Sequence, residues 1–297
     1  MKGEPWRAAL VVLRGVAQVM FQPNAATGLL FVAGLAVGSP LVAFGAVFGS
    51  MIGAGTALLC KFPRDDIEQG IYGFNSALVG VAPLVLLQPR PMTWLAIAIG
   101  CVLAAVVTRL CRRFAPFPTY TAPFVVVTWG LLLAIHGLAG HEIDAPAGPS
   151  PVSEGSLAGF FAEVLSGEAE VWLEASPLTG LLFLIGIALS DWRHATTAAI
   201  GSMAGTLLAS YHRDPESSIA LGLYGYNAAL AAMAIWLARP SLVPVLLAAA
   251  ISVPLTEFFP KSLGLPALTA PFVAASWIVL ALIALDPYLQ RRGTARP

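Results

Sequence analysis

The chain has 297 residues, of which 58% are hydrophobic and only 11% are charged, with equal numbers of acidic and basic side chains. Soluble domains have roughly 25% charged residues. Too little polar surface therefore remains to coat a soluble particle, and the composition predicts an integral membrane protein. The net charge of zero gives no indication of nucleic-acid binding. Three cysteines in or beside apolar runs lack metal-ligand spacing and are expected to be packed thiols: Cys60, Cys101 and Cys111.

Apolar runs predict the elements of the first part of the chain. A short apolar stretch over 8–21 is interrupted by Arg14 and Gln18. It falls below the roughly 20 residues that a spanning helix needs. Five longer runs follow, several of them broken by glycine or proline, at 26–38, 41–60, 71–88, 93–110 and 120–139.

The second part of the chain repeats this order after a linker. Residues 140–156 are rich in proline, glycine, serine and acidic residues, which predicts an exposed loop. A short stretch at 157–173 then precedes five further runs at 178–190, 195–210, 220–238, 242–258 and 268–286. We therefore predict two membrane repeats, residues 1–150 and 151–297. Each has five spans and one short or re-entrant segment, which gives about ten spans in total.

Matched residues support this division. Residues 70–78 read GIYGFNSAL and recur as GLYGYNAAL at 222–230, an offset of 152 residues. Three further landmarks follow in the same order, at the same or nearly the same offset: Gln18 with Glu170, 28–31 with 180–183, and 118–124 with 266–272. Four landmarks in one order indicate an internal duplication.

An odd number of spans in each repeat has a topological consequence. The second repeat must cross the membrane in the opposite sense, which predicts an all-α inverted repeat of the kind common in transporters. With a cytoplasmic N-terminus, the linker 140–156 lies outside and carries no Lys or Arg, as the positive-inside rule favours. Most basic residues then fall inside: Lys61, Arg64, Arg109, Arg112, Arg113, Arg193, Arg239, Arg291, Arg292 and Arg296, against Arg90, Arg213 and Lys261 outside.

Polar residues that recur at membrane depth are candidates for a site, because their burial is costly. Gln18 and Glu170 occupy matched positions, although short interfacial helices also carry such residues. Thr121 and Thr269 lie in matched Pro-x-x-Thr-Ala-Pro-Phe segments. Proline frees a backbone carbonyl within a helix, and irregular backbone at this depth is tolerated where it lines a wet cavity. The alternative is a proline kink with each threonine bonded back to its own helix.

Apolar pairs inside the repeated element predict a slot. Phe74 and Leu78 are four residues apart and share a helix face, as do Tyr226 and Leu230. Lipid contact or core packing is the alternative for such pairs. Under pseudo-two-fold symmetry, however, the two pairs would face each other across one axis, and a narrow slot between them suits a small flat solute.

These motifs resemble those of the urea transporter family, the channel-type urea transporters of bacteria and animals, over about residues 10–286. The family signature Asn-Pro-x-[Ser/Thr]-Gly is degenerate here, since 24–28 keeps the asparagine and 176–180 keeps the proline. The elements around Asn75 and Thr121, with their repeats, match more firmly.

The resemblance implies a homotrimer in the lipid of a bacterial inner membrane, with both termini cytoplasmic and a urea pore inside each protomer. It implies passive flow through a narrow filter, with no enzymatic activity, cofactor or metal. Gln18 and Glu170 would bind urea at the two ends of the pore, and Thr121 and Thr269 at its middle. The apolar slot would be lined by Phe21, Phe74, Leu78, Val171, Tyr226 and Leu230.

Other functions remain open at this point. Glu170 stands where many family members have glutamine, and an acid there would widen selectivity to short-chain amides or another small neutral solute. An ammonia channel would call for paired histidines, and no two of the four histidines occupy matched positions. An enzyme would need a nucleophile and base that the chain does not assemble. A proton-coupled carrier would depend on Glu170 alone.

Overall fold

The computed structural model describes residues 5–139, 156–258 and 264–285, and every regular element within these ranges is a helix. The all-α prediction is confirmed for this part of the chain. The predicted linker, up to residue 155, lies outside the described residues, as do Lys261, Arg291, Arg292 and Arg296. The helices are α1 Pro5–Ala17, α2 Ala25–Gly38, α3 Pro40–Leu59, α4 Arg64–Glu68, α5 Phe74–Leu86, α6 Pro91–Phe114, α7 Ala122–Ala139, α8 Leu157–Glu170, α9 Pro177–Ser190, α10 Trp192–His212, α11 Glu216–Ala220, α12 Gly225–Ala238, α13 Leu242–Phe258 and α14 Ala270–Leu285.

Polar caps at matched positions start the corresponding helices. The side chain of Asn24 caps α2, and the side chain of Ser176 caps α9. In the same way, Ser39 caps α3 and Asp191 caps α10. Each cap accepts a hydrogen bond from a first-turn amide that would otherwise lack a partner. The same cap positions therefore set the start of α2 and α3 in the first repeat and of α9 and α10 in the second.

Few of the described helices are both long enough and apolar enough to span a membrane alone. Pro40–Leu59 and Pro91–Phe114 have the required length and hydropathy. Pro5–Met20 and Ala25–Gly38 pass the same test together, with a bend of 76° between them. Six further apolar stretches have described lengths of only 10 to 17 residues, among them Ala122–Ile135 within α7. The figure of ten spans therefore stays a prediction.

Two threonines join α2 to α9. The Thr27 hydroxyl donates to the Gly186 carbonyl at 2.7 Å, and the Thr179 hydroxyl donates to the Gly34 carbonyl at 3.0 Å. All four residues are buried, so each hydroxyl is satisfied away from water. Two phenylalanine rings pack between the same helices with centroids 4.6 Å apart: Phe31 and Phe183.

A second pair of bonds links the turns before α7 and α14. The indole nitrogen of Trp129 donates to the Pro266 carbonyl at 2.9 Å, and that of Trp277 donates to the Pro118 carbonyl at 2.8 Å. Each tryptophan therefore holds the turn that precedes the other helix. These bonds bring residues about 150 positions apart into fixed contact.

The α1 helix is held tightly against α3 and the start of α5. The Ser50 hydroxyl donates to the Val12 carbonyl at 2.8 Å, and the matched Ser202 hydroxyl donates to the Val164 carbonyl at 2.7 Å. Gly70, with φ of +81°, lies so close to α1 that a Cβ there would collide with the Gly15 amide nitrogen. This close approach fixes where the end of α1, and hence Gln18, sits.

Substitution of Gly70 tests this packing. We expect Gly70→Ala to lower the free energy of unfolding by at least about 1–2 kcal/mol, because alanine is strained at positive φ and its Cβ would meet α1. Gly55→Ala is the matched control, since a Cβ at Gly55 meets open space within α3 and alanine favours a helix interior by roughly 0.5–1 kcal/mol. Thermal unfolding in detergent would compare the two variants. Equal melting temperatures would contradict the close contact between Gly70 and α1.

Candidate functional site

The site centres on two threonine hydroxyls that are 148 residues apart in the chain. The Oγ1 atoms of Thr121 and Thr269 lie 2.6 Å apart, and each residue is 2% exposed. Thr121 immediately precedes α7 and Thr269 immediately precedes α14, so the first residues of these two helices meet. Helix N-termini carry partial positive charge, and a hydroxyl can both donate and accept. The pair can therefore rearrange its hydrogen bonds for a polar solute.

The residues before the two threonines have an unusual backbone. Tyr120 and Leu268 have φ of 47° and 49°, a left-handed conformation that is uncommon for residues other than glycine. Such backbone costs about 1–3 kcal/mol and is found where the surrounding structure enforces it, often at functional sites. Here each left-handed residue directly precedes one of the two threonines whose hydroxyls meet.

Two asparagines of the repeated element enforce this backbone. Asn75 Nδ2 donates to the Thr108 hydroxyl at 3.0 Å and approaches the Tyr120 carbonyl at 3.4 Å, while its Oδ1 accepts from the Phe124 amide at 3.2 Å. Each asparagine therefore ties the turn to the first helical residues that follow. The same three kinds of partner surround Asn227: Thr256, Leu268 and Phe272.

The predicted slot residues pack around these turns. The members of one core cluster include Leu78, Val171, Tyr226 and Leu230, and Phe21 and Phe74 pack against it. The Tyr226 hydroxyl donates to the Leu268 carbonyl. The Phe21 ring meets two further rings edge-on, with centroids 5.9 and 6.1 Å away: Tyr120 and Phe272. All six residues therefore belong to this cluster or pack against it, and contacts with the turns or the helix starts after them are seen for Phe21 and Tyr226.

The repeat equivalent of Phe21 is Leu173 and not Val171. Phe21 has φ of 62°, and Leu173, at the offset of 152 residues, has φ of 59°. Val171 corresponds by the same offset to Val19, and both are buried. The matched left-handed backbone adds Leu173 as a candidate that the sequence analysis missed, although the offset of 152 residues already pairs it with Phe21 in the sequence.

The two predicted end residues have different surroundings. Gln18 is half-buried, and its Nε2 donates to the Gln69 carbonyl at 3.1 Å. Glu170 is only 7% exposed and interacts electrostatically with Glu174 and Tyr226. An open depression of about 250 Å³ adjoins the first of these ends, lined by Arg14, Pro23, Asp65, Glu68 and Gln69.

Glu168 is a buried acid that the sequence analysis did not single out. It is fully buried, and neither carboxyl oxygen has a hydrogen-bond partner among the described residues. Its repeat equivalent is Val16, which is also fully buried. An isolated ionised carboxylate is costly in such a place. Comparison of the repeats position by position would have shown this acid opposite a valine.

Extending the repeat alignment would also have found the bonding pairs that hold the two parts together. Thr27 and Thr179 keep the offset of 152 residues, and Trp129 and Trp277 keep the offset of 148. Sequence reasoning passed over them because threonine and tryptophan in apolar runs are common core residues.

These features define a class of protein: an apolar, all-helical membrane protein whose matched, irregular turns meet at a buried polar point. A family model described as "Urea transporter" matches residues 9–284. Urea transporter 1 of Rattus norvegicus is 28% identical over 94% of this chain and 78% of its own length, and the proteins of that name from Mus musculus and Capra hircus match equally well. The chain therefore belongs to the urea transporter family, which confirms the resemblance inferred from its motifs.

Replacement of Glu168 tests whether its carboxyl is uncompensated. We expect Glu168→Val, which installs the residue of the matched position 16, to stabilise the protein by about 1–3 kcal/mol, because it removes a buried polar group without a partner. Glu163→Val is the control, since Glu163 is half-exposed on the same helix. Thermal unfolding in detergent is the measurement. A less stable Glu168→Val protein would show that this carboxyl has a stabilising partner.

Proposed function

We propose that the chain is a passive, channel-like urea transporter whose path runs between Gln18 and Glu170 past the paired threonines. The contact of the Thr121 and Thr269 hydroxyls carries this proposal. It places an exchangeable donor–acceptor pair at the point where the two repeats meet.

The proposed path replaces the hydration of urea with protein oxygens. Urea is flat, neutral and rich in N–H donors, so it needs acceptors once stripped of water. The Tyr120 carbonyl retains lone-pair capacity beyond its asparagine contact, whereas the Leu268 carbonyl already accepts from both Tyr226 and Asn227. With the threonine hydroxyls and the Gln18 and Glu170 side chains, the Tyr120 carbonyl would form a row of acceptors. Exchange of one hydrogen bond for another keeps binding weak, as rapid flux requires.

The apolar residues beside the threonines would supply selectivity. A slot between Phe74 with Leu78 and Tyr226 with Leu230 would admit a dehydrated flat molecule and exclude bulkier or hydrated solutes. An ion entering the slot would lose its water without gaining an opposite charge there. It would therefore be rejected, while urea would lose only hydrogen bonds that the path restores.

Matched bonds support a proposed division into two inverted repeats, residues 1–150 and 151–297. Five features recur at equivalent positions of the two parts: the Ser50 and Ser202 bonds, the Thr27 and Thr179 bonds, the two asparagine clamps, the tryptophan bonds and the left-handed turns. The threonine and tryptophan bonds cross between the two parts. Reciprocal contacts of this kind are what a two-fold relation between repeats produces.

Basic residues gathered at one end support cytoplasmic termini in an inner membrane. Arg112 forms a bidentate ion pair with Asp66 at 2.6 and 3.1 Å, and Arg14 donates to the Glu68 carbonyl at 2.9 Å. The Arg109 guanidinium lies over a ring on the same loop, that of Phe62. The basic residues in these contacts therefore lie at the Gln18 end, and the positive-inside rule assigns them to the cytoplasm.

We extend the proposal to a homotrimer with one pore in each protomer, surrounded by lipid. Large apolar side chains such as Phe44, Trp192 and Leu247 are exposed. They fit contact with acyl chains or with another protomer. A channel for short-chain amides is the alternative function, favoured by the acid at Glu170 in place of an amide.

Stopped-flow light scattering on proteoliposomes tests the oxygen path. We expect Thr121→Val combined with Thr269→Val to lower urea flux by about tenfold or more, because two hydrogen bonds of about 1 kcal/mol each are lost. Thr196→Val is the matched control. Thr196 is exposed and its hydroxyl donates to the Trp192 carbonyl on its own helix. The urea flux of the Thr196→Val protein should therefore equal that of the native protein.

Different solutes and gradients separate the alternatives. The proposal predicts fast urea flux, slow acetamide and glycerol flux, and no dependence on a proton gradient. Equal flux of urea and acetamide would favour the amide channel. Loss of uptake on collapse of a proton gradient would contradict passive transport, and native flux in the double variant would remove the threonines from the path.

A further inference from the structure

A buried hydrogen bond crosses between the repeats beside the Gln18 end of the proposed path. Gln22 is 1% exposed and His194 is 8% exposed. The Gln22 side-chain nitrogen donates to the Met20 carbonyl at 2.9 Å and lies 3.0 Å from His194 Nδ1. Gln22 directly follows Phe21, the left-handed residue that packs against the turn before α7.

The partners of Gln22 fix the protonation state of His194. The Met20 carbonyl can only accept, so the group facing it must be the amide NH₂ and not the amide oxygen. The remaining hydrogen of that NH₂ points at His194 Nδ1, which must therefore accept with its lone pair. His194 is thus a neutral imidazole with its proton on Nε2. A proton on His194 Nδ1 would face the Gln22 NH₂ group, so two donors would meet and this hydrogen bond would be lost.

The Glu170 end of the proposed path lacks this arrangement. By the offset of 152 residues, Gln22 corresponds to Glu174 and His194 corresponds to Val42. The Glu174 carboxyl lies against α2, where a Cβ on Gly38 would meet it. The histidine contact is therefore not a consequence of the repeat fold, and it distinguishes the Gln18 end from the Glu170 end.

The side chain that His194 contacts by a hydrogen bond is Gln22. The charged groups on its own helix and on the helices packed against it are the following. Asp191 caps the same helix, accepts from the Arg193 amide at 2.9 Å and interacts electrostatically with His194. The α9 helix carries no charged residue, and Arg239 ends α12. Helix α8 carries Glu163, Glu168 and Glu170, and it meets α10 at Ser202, about 12 Å along the helix from His194. The remaining acidic residues on the packed helices are Glu257 near the end of α13 and Glu216 on α11.

We infer that His194 is a positioning residue for the pore: its neutral Nδ1 holds Gln22, and through Gln22 it holds the 18–21 turn that carries Gln18 and Phe21. Protonation of His194 releases this turn and lowers urea flux. The inference rests on the proposed urea conduction. It makes the Gln18 end, and not the Glu170 end, sensitive to acid.

The test compares urea flux in proteoliposomes at about pH 7.5 and about pH 5.0, and follows it to about pH 4.0 because burial disfavours the charged form of an imidazole. We expect the native flux to be about fivefold lower at the acidic pH, as the loss of one buried hydrogen bond implies. His194→Asn should match the native flux at pH 7.5 and keep it at pH 5.0. Its side-chain oxygen replaces Nδ1 as the acceptor and does not titrate.

Two further variants complete the test. Gln22→Met keeps the volume of the side chain but removes the donor, so its flux should be low at both pH values. His212→Asn alters an exposed histidine at the far end of the same helix and should retain the native pH dependence. Native flux that is equal at both pH values, or an acid response that survives in His194→Asn, would overturn the inference while leaving urea conduction intact. An absence of urea flux in the native protein at pH 7.5 would overturn the proposed function and this inference together.

Discussion

The hydrogen bond between Thr121 and Thr269 demands that two turns, 148 residues apart, be held in register at the same time. A shift of one ångström on either side would break it, so the surrounding structure must be rigid. That rigidity comes from the clamps of Asn75 and Asn227, which bond to both the turn and the helix after it. The left-handed backbone of the turns is maintained at a cost that these bonds offset.

The same constraint accounts for features far from the turns. Small residues let α1, α3 and α5 approach until their backbones touch, as at Gly70 and Gly49. Hydroxyls such as Ser50 then bond to backbone carbonyls across those contacts. In a membrane, close packing and interhelical hydrogen bonds replace the hydrophobic effect as the force between helices. The proposed path would therefore be rigid, and the proposed selectivity by shape would follow from that rigidity.

The sequence predicted a large part of this arrangement, for a physical reason. Repeated residues report a repeated environment, so Gln18, Thr121 and their equivalents could be picked out without coordinates, and the motifs led to the correct family. The backbone angles at Leu173 and the crossing bond of Gln22 were beyond reach. They depend on how distant segments meet, and no local pattern of residues encodes that. The number of spans stays a prediction, because few of the described helices have both the length and the hydropathy that a span requires.

The location of bound substrate tests the central claim most directly. Crystals soaked with selenourea, a selenium analogue of urea, would show its position by anomalous scattering. The account predicts selenium density beside the Thr121 and Thr269 hydroxyls, between the ring of Phe74 and that of Tyr226. Density confined to the open depression around Arg14 and Glu68, with none near the threonines, would contradict it.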